Sequence, residues 1–144
     1  MLGVKDFMNI KVDWIYTGTD EESLGFSRVL YAYLHPESGD ILYLGKADYC
    51  TVKERLSGQH KEAIFSNIVN DLKVSELHAV VGLLHLPSEK RFSSELLSDV
   101  ESLLIMAVQP RYNQQSRHTR ISRPGLVVNC TGDWPLNINV FKDT

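Results

Sequence analysis

The chain has 144 residues, 43% of them hydrophobic and 23% charged, with a formal net charge of −3. That is the size of one ordinary domain with enough apolar side chains for a core. It excludes a uniformly cationic nucleic-acid coat, and no apolar run approaches the ~18 residues of a helical membrane span. Lys5, Asp6, Lys11 and Asp13 interrupt the N-terminus before a secretory apolar core forms, so a cytoplasmic location is expected, with Cys50 and Cys130 as reduced thiols.

In chain order, Lys11 to Tyr16 reads as a strand within an N-terminal extension over residues 1–28. Val29 to Leu34 and Ile41 to Leu44 are rich in aromatic and β-branched residues, and Pro36 and Gly39 lie between them, so a hairpin follows. If its register pairs odd residues with odd, Tyr31 and Tyr43 stand side by side. Thr51 is a plausible N-cap for a short helix carrying Val52, Arg55 and Leu56, which Gly58 ends. Lys61 to Leu72 resumes a helical pattern through Ala63, Ile64, Ile68 and Leu72.

Glu76 to Leu86 is a long apolar run stopped by Pro87, and its valines favour a third strand. Phe92 to Val108 repeats apolar residues at helical spacing, with Ser93 or Ser94 as cap and Pro110 beyond its end. Arg111, Arg117, Arg120 and Arg123 then form a basic strip without acidic residues, leaving the remainder of the chain the more acidic. Leu126 to Cys130 and Asn137 to Phe141 bracket a turn as a second hairpin. The alternation of hairpins, helices and strand points to an α+β fold.

Several side chains stand where chemistry is conceivable. Glu101 has Leu97 four residues before it and Leu104 and Ile105 just after, which sets its carboxylate at the edge of a buried stripe. Glu95 and Asp99 point elsewhere, toward solvent. A carboxylate at such an edge is salt-bridged, hydrogen-bonded or bound to a metal. Arg55, beside the apolar face of its helix, suits either a buried carboxylate or a phosphate. Tyr31 and Tyr43 read first as sheet-packing aromatics, His60 as a solvated histidine, and Asn113 as a loop residue bonding its own backbone.

Taken as a set, Tyr31, then Tyr43-Leu44-Gly45, an arginine on the following helix, a histidine soon after, Glu101 within an apolar helix, and Pro110-x-x-Asn113 resemble the GIY-YIG nuclease superfamily. The resemblance covers roughly Val29 to Asn113. Val29 stands where the first motif has Gly, Leu44 replaces the central Ile of the second, and Gln59 holds the place four residues after Arg55, with His60 one further on.

The resemblance implies a small three-stranded antiparallel sheet flanked by helices over residues 29–115. To it the basic segment and C-terminal hairpin of 116–144 would add, packed on the same domain. It implies a metal-dependent endonuclease hydrolysing DNA phosphodiester bonds at a single Mg²⁺ or Mn²⁺. Glu101 matches the metal ligand, Arg55 the arginine that steadies the phosphate, and Tyr31 and Tyr43 the motif tyrosines, one of which helps activate water. His60 completes the catalytic set. Gly45, Lys46, Asn113, Arg111 and Arg117 are the expected substrate-binding residues. The alternative is a nucleic-acid-binding module on the same fold with little or no cleavage.

Overall fold

Strand β1 (Met8–Tyr16) alternates buried Ile10, Val12 and Trp14 with exposed Asn9 and Lys11, the pattern of a strand whose one face meets a core. It lies in a computed structural model that describes residues 8–17, 25–56, 58–113 and 125–143, with the main chain alone at Gln59 and His60. Along the described chain follow β2 (Val29–Leu34), β3 (Ile41–Ala47), α1 (Val52–Leu56), α2 (Gln59–Leu72), β4 (His78–His85), α3 (Ser94–Val108), β5 (Leu126–Gly132) and β6 (Val140–Lys142).

The strands form one six-stranded sheet in the order β3-β2-β4-β1-β5-β6, curled into a half-barrel. Neighbours are antiparallel except β1 and β5, which run parallel. The expectation of a small three-stranded antiparallel sheet is therefore wrong, although the fold remains α+β. Strands β3, β2 and β4 do lie side by side, but the far side of β4 is no edge. Strand β1 hydrogen-bonds to β4 on one side and to β5 on the other, and so joins the C-terminal hairpin into the same sheet. Unpaired strand edges leave backbone donors and acceptors open, and inserting β1 satisfies two of them at once.

Two cores lie on opposite faces of the β2–β3 region. Leu30, Ala32, Leu34 and Leu44 pack with Leu97, Val100 and Leu104 of α3. Val29, Tyr31, Tyr33 and Tyr43 pack with Val52 of α1 and Ile68 of α2. Every residue of β2 is buried as a result, which is why VLYAYL reads as a continuous apolar run and not an alternating one.

Helix α1 starts in a capping box. The Glu54 main-chain N–H donates to the Thr51 hydroxyl (3.1 Å) and the Thr51 N–H donates to the Glu54 carboxylate (3.0 Å). Gly58 follows in an extended conformation and α2 begins at Gln59, two residues before the expected restart. Ser93 caps α3 by accepting from the Leu96 N–H (3.0 Å). Asp99, expected toward solvent, is buried, because α3 packs against β6 as well as against β2 and β3 and is covered over a wider arc than its apolar stripe indicates. Among the described residues no helix is long and apolar enough to cross a membrane.

Candidate active site at the open edge of strand β3

Strand β3 is an edge of the sheet, and half of that edge is covered. The Tyr112 N–H donates to the Leu42 carbonyl (3.0 Å). Asn113 then holds Leu44 by both ends of its amide, Oδ1 accepting from the Leu44 N–H and Nδ2 donating to the Leu44 carbonyl, each at 2.8 Å. The side chain thus replaces a missing neighbouring strand, and Asn113 is buried. By strand alternation the main chain of Lys46, two residues beyond, is the next to face that edge.

There the sheet opens into a cleft of about 590 Å³ between α2 and α3, lined among others by Tyr43, Gly45, Lys46, Arg55, Lys61, Ser98 and Glu101. Of the residues expected at a site, the structure brings Tyr43, Gly45, Lys46, Arg55, Glu101 and Asn113 to this one cleft. Tyr31 stands behind it. The β2–β3 register does pair odd with odd, but sets Tyr31 opposite Gly45 and Tyr33 opposite Tyr43, so that Tyr31 and Tyr43 are diagonal neighbours with ring centroids 6.3 Å apart.

Tyr31 is 1% exposed, and its hydroxyl is buried with no hydrogen-bond partner among the described residues. Burial pushes that phenol far above the usual tyrosine range, and Tyr43 adds to the rise. The Arg55 guanidinium pulls the other way through its charge, outside good hydrogen-bond geometry. Tyr33, on the same aromatic face, is pushed up to about 12, again mainly by burial.

Glu101 feels two opposed effects. Burial raises its carboxyl above the usual range, and Lys46, Lys61 and Arg55 lower it in that order. Lys46 itself donates to the Ser98 hydroxyl, one helical turn before Glu101. Lys61 donates to the Tyr43 hydroxyl, and its ammonium lies 4.9 Å from the centroid of that ring. Lys61 was not among the expected residues. It stands three residues before Ile64 and seven before Ile68, at the start of the stripe that α2 buries, and that spacing was its one signal in the sequence.

Arg111 is turned to a different use: its guanidinium donates to Asp71 at 3.1 Å, and Tyr112 donates to the same carboxylate. The His60 side chain and the whole of Arg117, Arg120 and Arg123 lie outside the described residues. Among the described residues no three His, Cys, Asp or Glu side chains are grouped to hold a metal. With Glu101 as its one carboxylate, the donor set fits a Mg²⁺ or Mn²⁺ that keeps several waters and takes further oxygens from a bound phosphate. Among the described residues the charged side chains lining the cleft are Lys46, Arg55, Lys61 and Glu101, an excess of positive charge suited to an anionic ligand. No family model matches the chain, and no curated protein or solved structure matches it either.

Proposed function

We propose that the chain is a metal-dependent endonuclease that hydrolyses DNA phosphodiester bonds, in keeping with its resemblance to the GIY-YIG nuclease superfamily. The observation that supports the reading is the cleft itself, where Tyr43, Lys46, Arg55, Lys61 and Glu101 converge from β3, α1, α2 and α3.

In this reading Arg55 and Lys46 hold the phosphate and offset the charge that grows on it as water attacks phosphorus. Tyr43 faces the cleft and orients the water: its phenolic proton passes to solvent as its oxygen takes the water's proton. Lys61 fixes the Tyr43 hydroxyl, and its ammonium offsets negative charge on the phenol oxygen during that transfer. Glu101 would hold the divalent metal, which when bound supplies further charge neutralisation on the phosphate. Tyr31, sealed behind Gly45, keeps its proton at neutral pH and serves as the floor of the site.

The test is nicking of supercoiled plasmid with Mg²⁺ or Mn²⁺ by wild type, Glu101→Ala and Arg55→Ala. Nicking by wild type and its loss in both variants supports the assignment. Equal nicking by all three identifies a contaminant and defeats it, and salt-sensitive DNA binding without any nicking favours the binding-module alternative.

A further inference from the structure

Among the described residues, Tyr49 is the most exposed large aromatic side chain and belongs neither to a core nor to the cleft wall. Tyr49 lies in the loop between β3 and α1 and is 90% exposed, so both faces of its ring are open to solvent. The ring is nonetheless held in place, because its hydroxyl shares a 2.9 Å hydrogen bond with the Ser94 hydroxyl at the start of α3. Exposure of this degree discards the burial that an aromatic ring ordinarily gains.

The position of Ser94 relates the ring to the cleft. Residues four apart on a helix share a face, so Ser94, Ser98 and Ser102 form one row on α3, with Glu101 beside it. Tyr49 is bonded to the first of these and Lys46 to the second. At the rise of an α-helix, Ser94 precedes Ser98 by about 6 Å and Glu101 by about 10 Å along the axis. The tethered ring, the phosphate-facing lysine and the carboxylate therefore follow one another along α3. A strand whose phosphate sits between Lys46 and Arg55 and which leaves toward the start of α3 brings its next base to Tyr49.

We infer that Tyr49 is a stacking platform for an unpaired base flanking the cleaved phosphate, and that the substrate class is single-stranded DNA or the single-stranded segment of a branched duplex. The inference rests on the phosphodiesterase reading above and names its substrate. In an intact duplex each base face is covered by its stacked neighbours, and reaching one requires unstacking it. A single strand offers that face freely, and base–aromatic stacking tolerates any sequence. The tether through Ser94 means that little ring freedom is lost on binding.

The experiment compares wild type, Tyr49→Ala and Tyr49→Phe in EDTA at low salt. Anisotropy measures binding of a short labelled strand and of the same strand in duplex, and 2-aminopurine fluorescence reports stacking directly. Wild type is expected to prefer the single strand and to quench 2-aminopurine at one position. Tyr49→Ala is expected to bind the single strand about tenfold more weakly, to lose the quenching and to lose the preference over duplex. Tyr49→Phe, which keeps the ring, retains most of the quenching.

If Tyr49→Ala binds the single strand as wild type does, or weakens both forms equally, the inference is overturned. Where that happens while wild type still nicks plasmid, the nuclease reading survives alone. No binding of any DNA form by wild type, together with no nicking, overturns both.

Discussion

The ring of Tyr31 lies directly over Gly45: a Cβ added at Gly45 would stand 2.5 Å from both Cζ and Oη of the tyrosine. The two residues are cross-strand partners in β2 and β3, and the tyrosine occupies the space above the glycine. Tyr31 cannot swing aside, because it packs against Tyr33 and Tyr43 in the buried aromatic face. Gly45→Ala is therefore expected to destabilise the protein by about 2–3 kcal/mol through overpacking, although alanine is otherwise no worse than glycine in a strand. Urea titration measures it. In a Tyr31→Ala background the same change should cost much less, and an equal cost in both backgrounds would remove the steric account.

Asn113 offers a second stability test. Asn113→Ala leaves the Leu44 N–H and carbonyl without their partners at a buried strand edge, a loss of about 2 kcal/mol. Asn113→Asp fails as well, since a carboxylate accepts from the N–H but cannot donate to the carbonyl. A full-strength cleft in Asn113→Ala, with unchanged thermal unfolding, would show that the edge does not need this mimic of a strand.

The carboxyl of Glu101 is raised, burial outweighing the pull of Lys46, Lys61 and Arg55. A group that binds its proton more tightly when folded contributes stability that is fully present below its unfolded value and lost as pH rises through its folded value. Glu101→Gln, which carries no charge, is therefore expected to be more stable than wild type at neutral pH. The advantage should vanish as pH falls below the ordinary carboxylate range. Urea titrations at about pH 7 and about pH 3 bracket the window; an advantage independent of pH would contradict the shift.

Lys61 is expected to act through Tyr43 and not through binding strength. Lys61→Met should lower single-turnover nicking about a hundredfold, the low end of what a positioned proton-transfer group contributes. KM should change only a few-fold. Lys61→Arg, which can still donate to the Tyr43 hydroxyl, should recover part of the rate. A loss carried wholly by KM would reduce Lys61 to a phosphate contact.

The Arg111–Asp71 pair is exposed at 63% and 51% of its two side chains, so Asp71→Asn should change stability by less than about 1 kcal/mol. Its effect should appear in binding. Released from Asp71, Arg111 becomes available to a phosphate, and the slope of log affinity against log salt should steepen by about 1. Anisotropy across a salt series reads this; an unchanged slope would place Arg111 away from the bound strand.

Local pattern carried much of the structure. The Thr51–Glu54 capping box, the Ser93 cap, the β2 boundaries and the apolar stripe of α3 all follow from residues close in sequence. The candidate site was legible to the same extent. Arg55 and Glu101 stand at marked places on their own helices, whereas Tyr43, Gly45 and Lys46 were singled out as site residues through the order and spacing of the set that resembles the GIY-YIG superfamily. Lys61 was missed because a lysine at the start of a helical stripe is usually a solvated one.

The sequence by itself determined the elements, because caps, turns and periodicity act over a few residues, and it marked Tyr31, Tyr43, Arg55 and Glu101 as a set. Only the tertiary structure decided which strand edges meet, since backbone hydrogen bonds carry no side-chain identity. That is why β1 sits inside a six-stranded sheet and was not foreseen there. Tertiary structure also gave the two tyrosines different places, Tyr31 pressed onto Gly45 behind the site and Tyr43 held by Lys61 within it. A two-residue difference in register separates those outcomes, and register is set by the packing of whole faces.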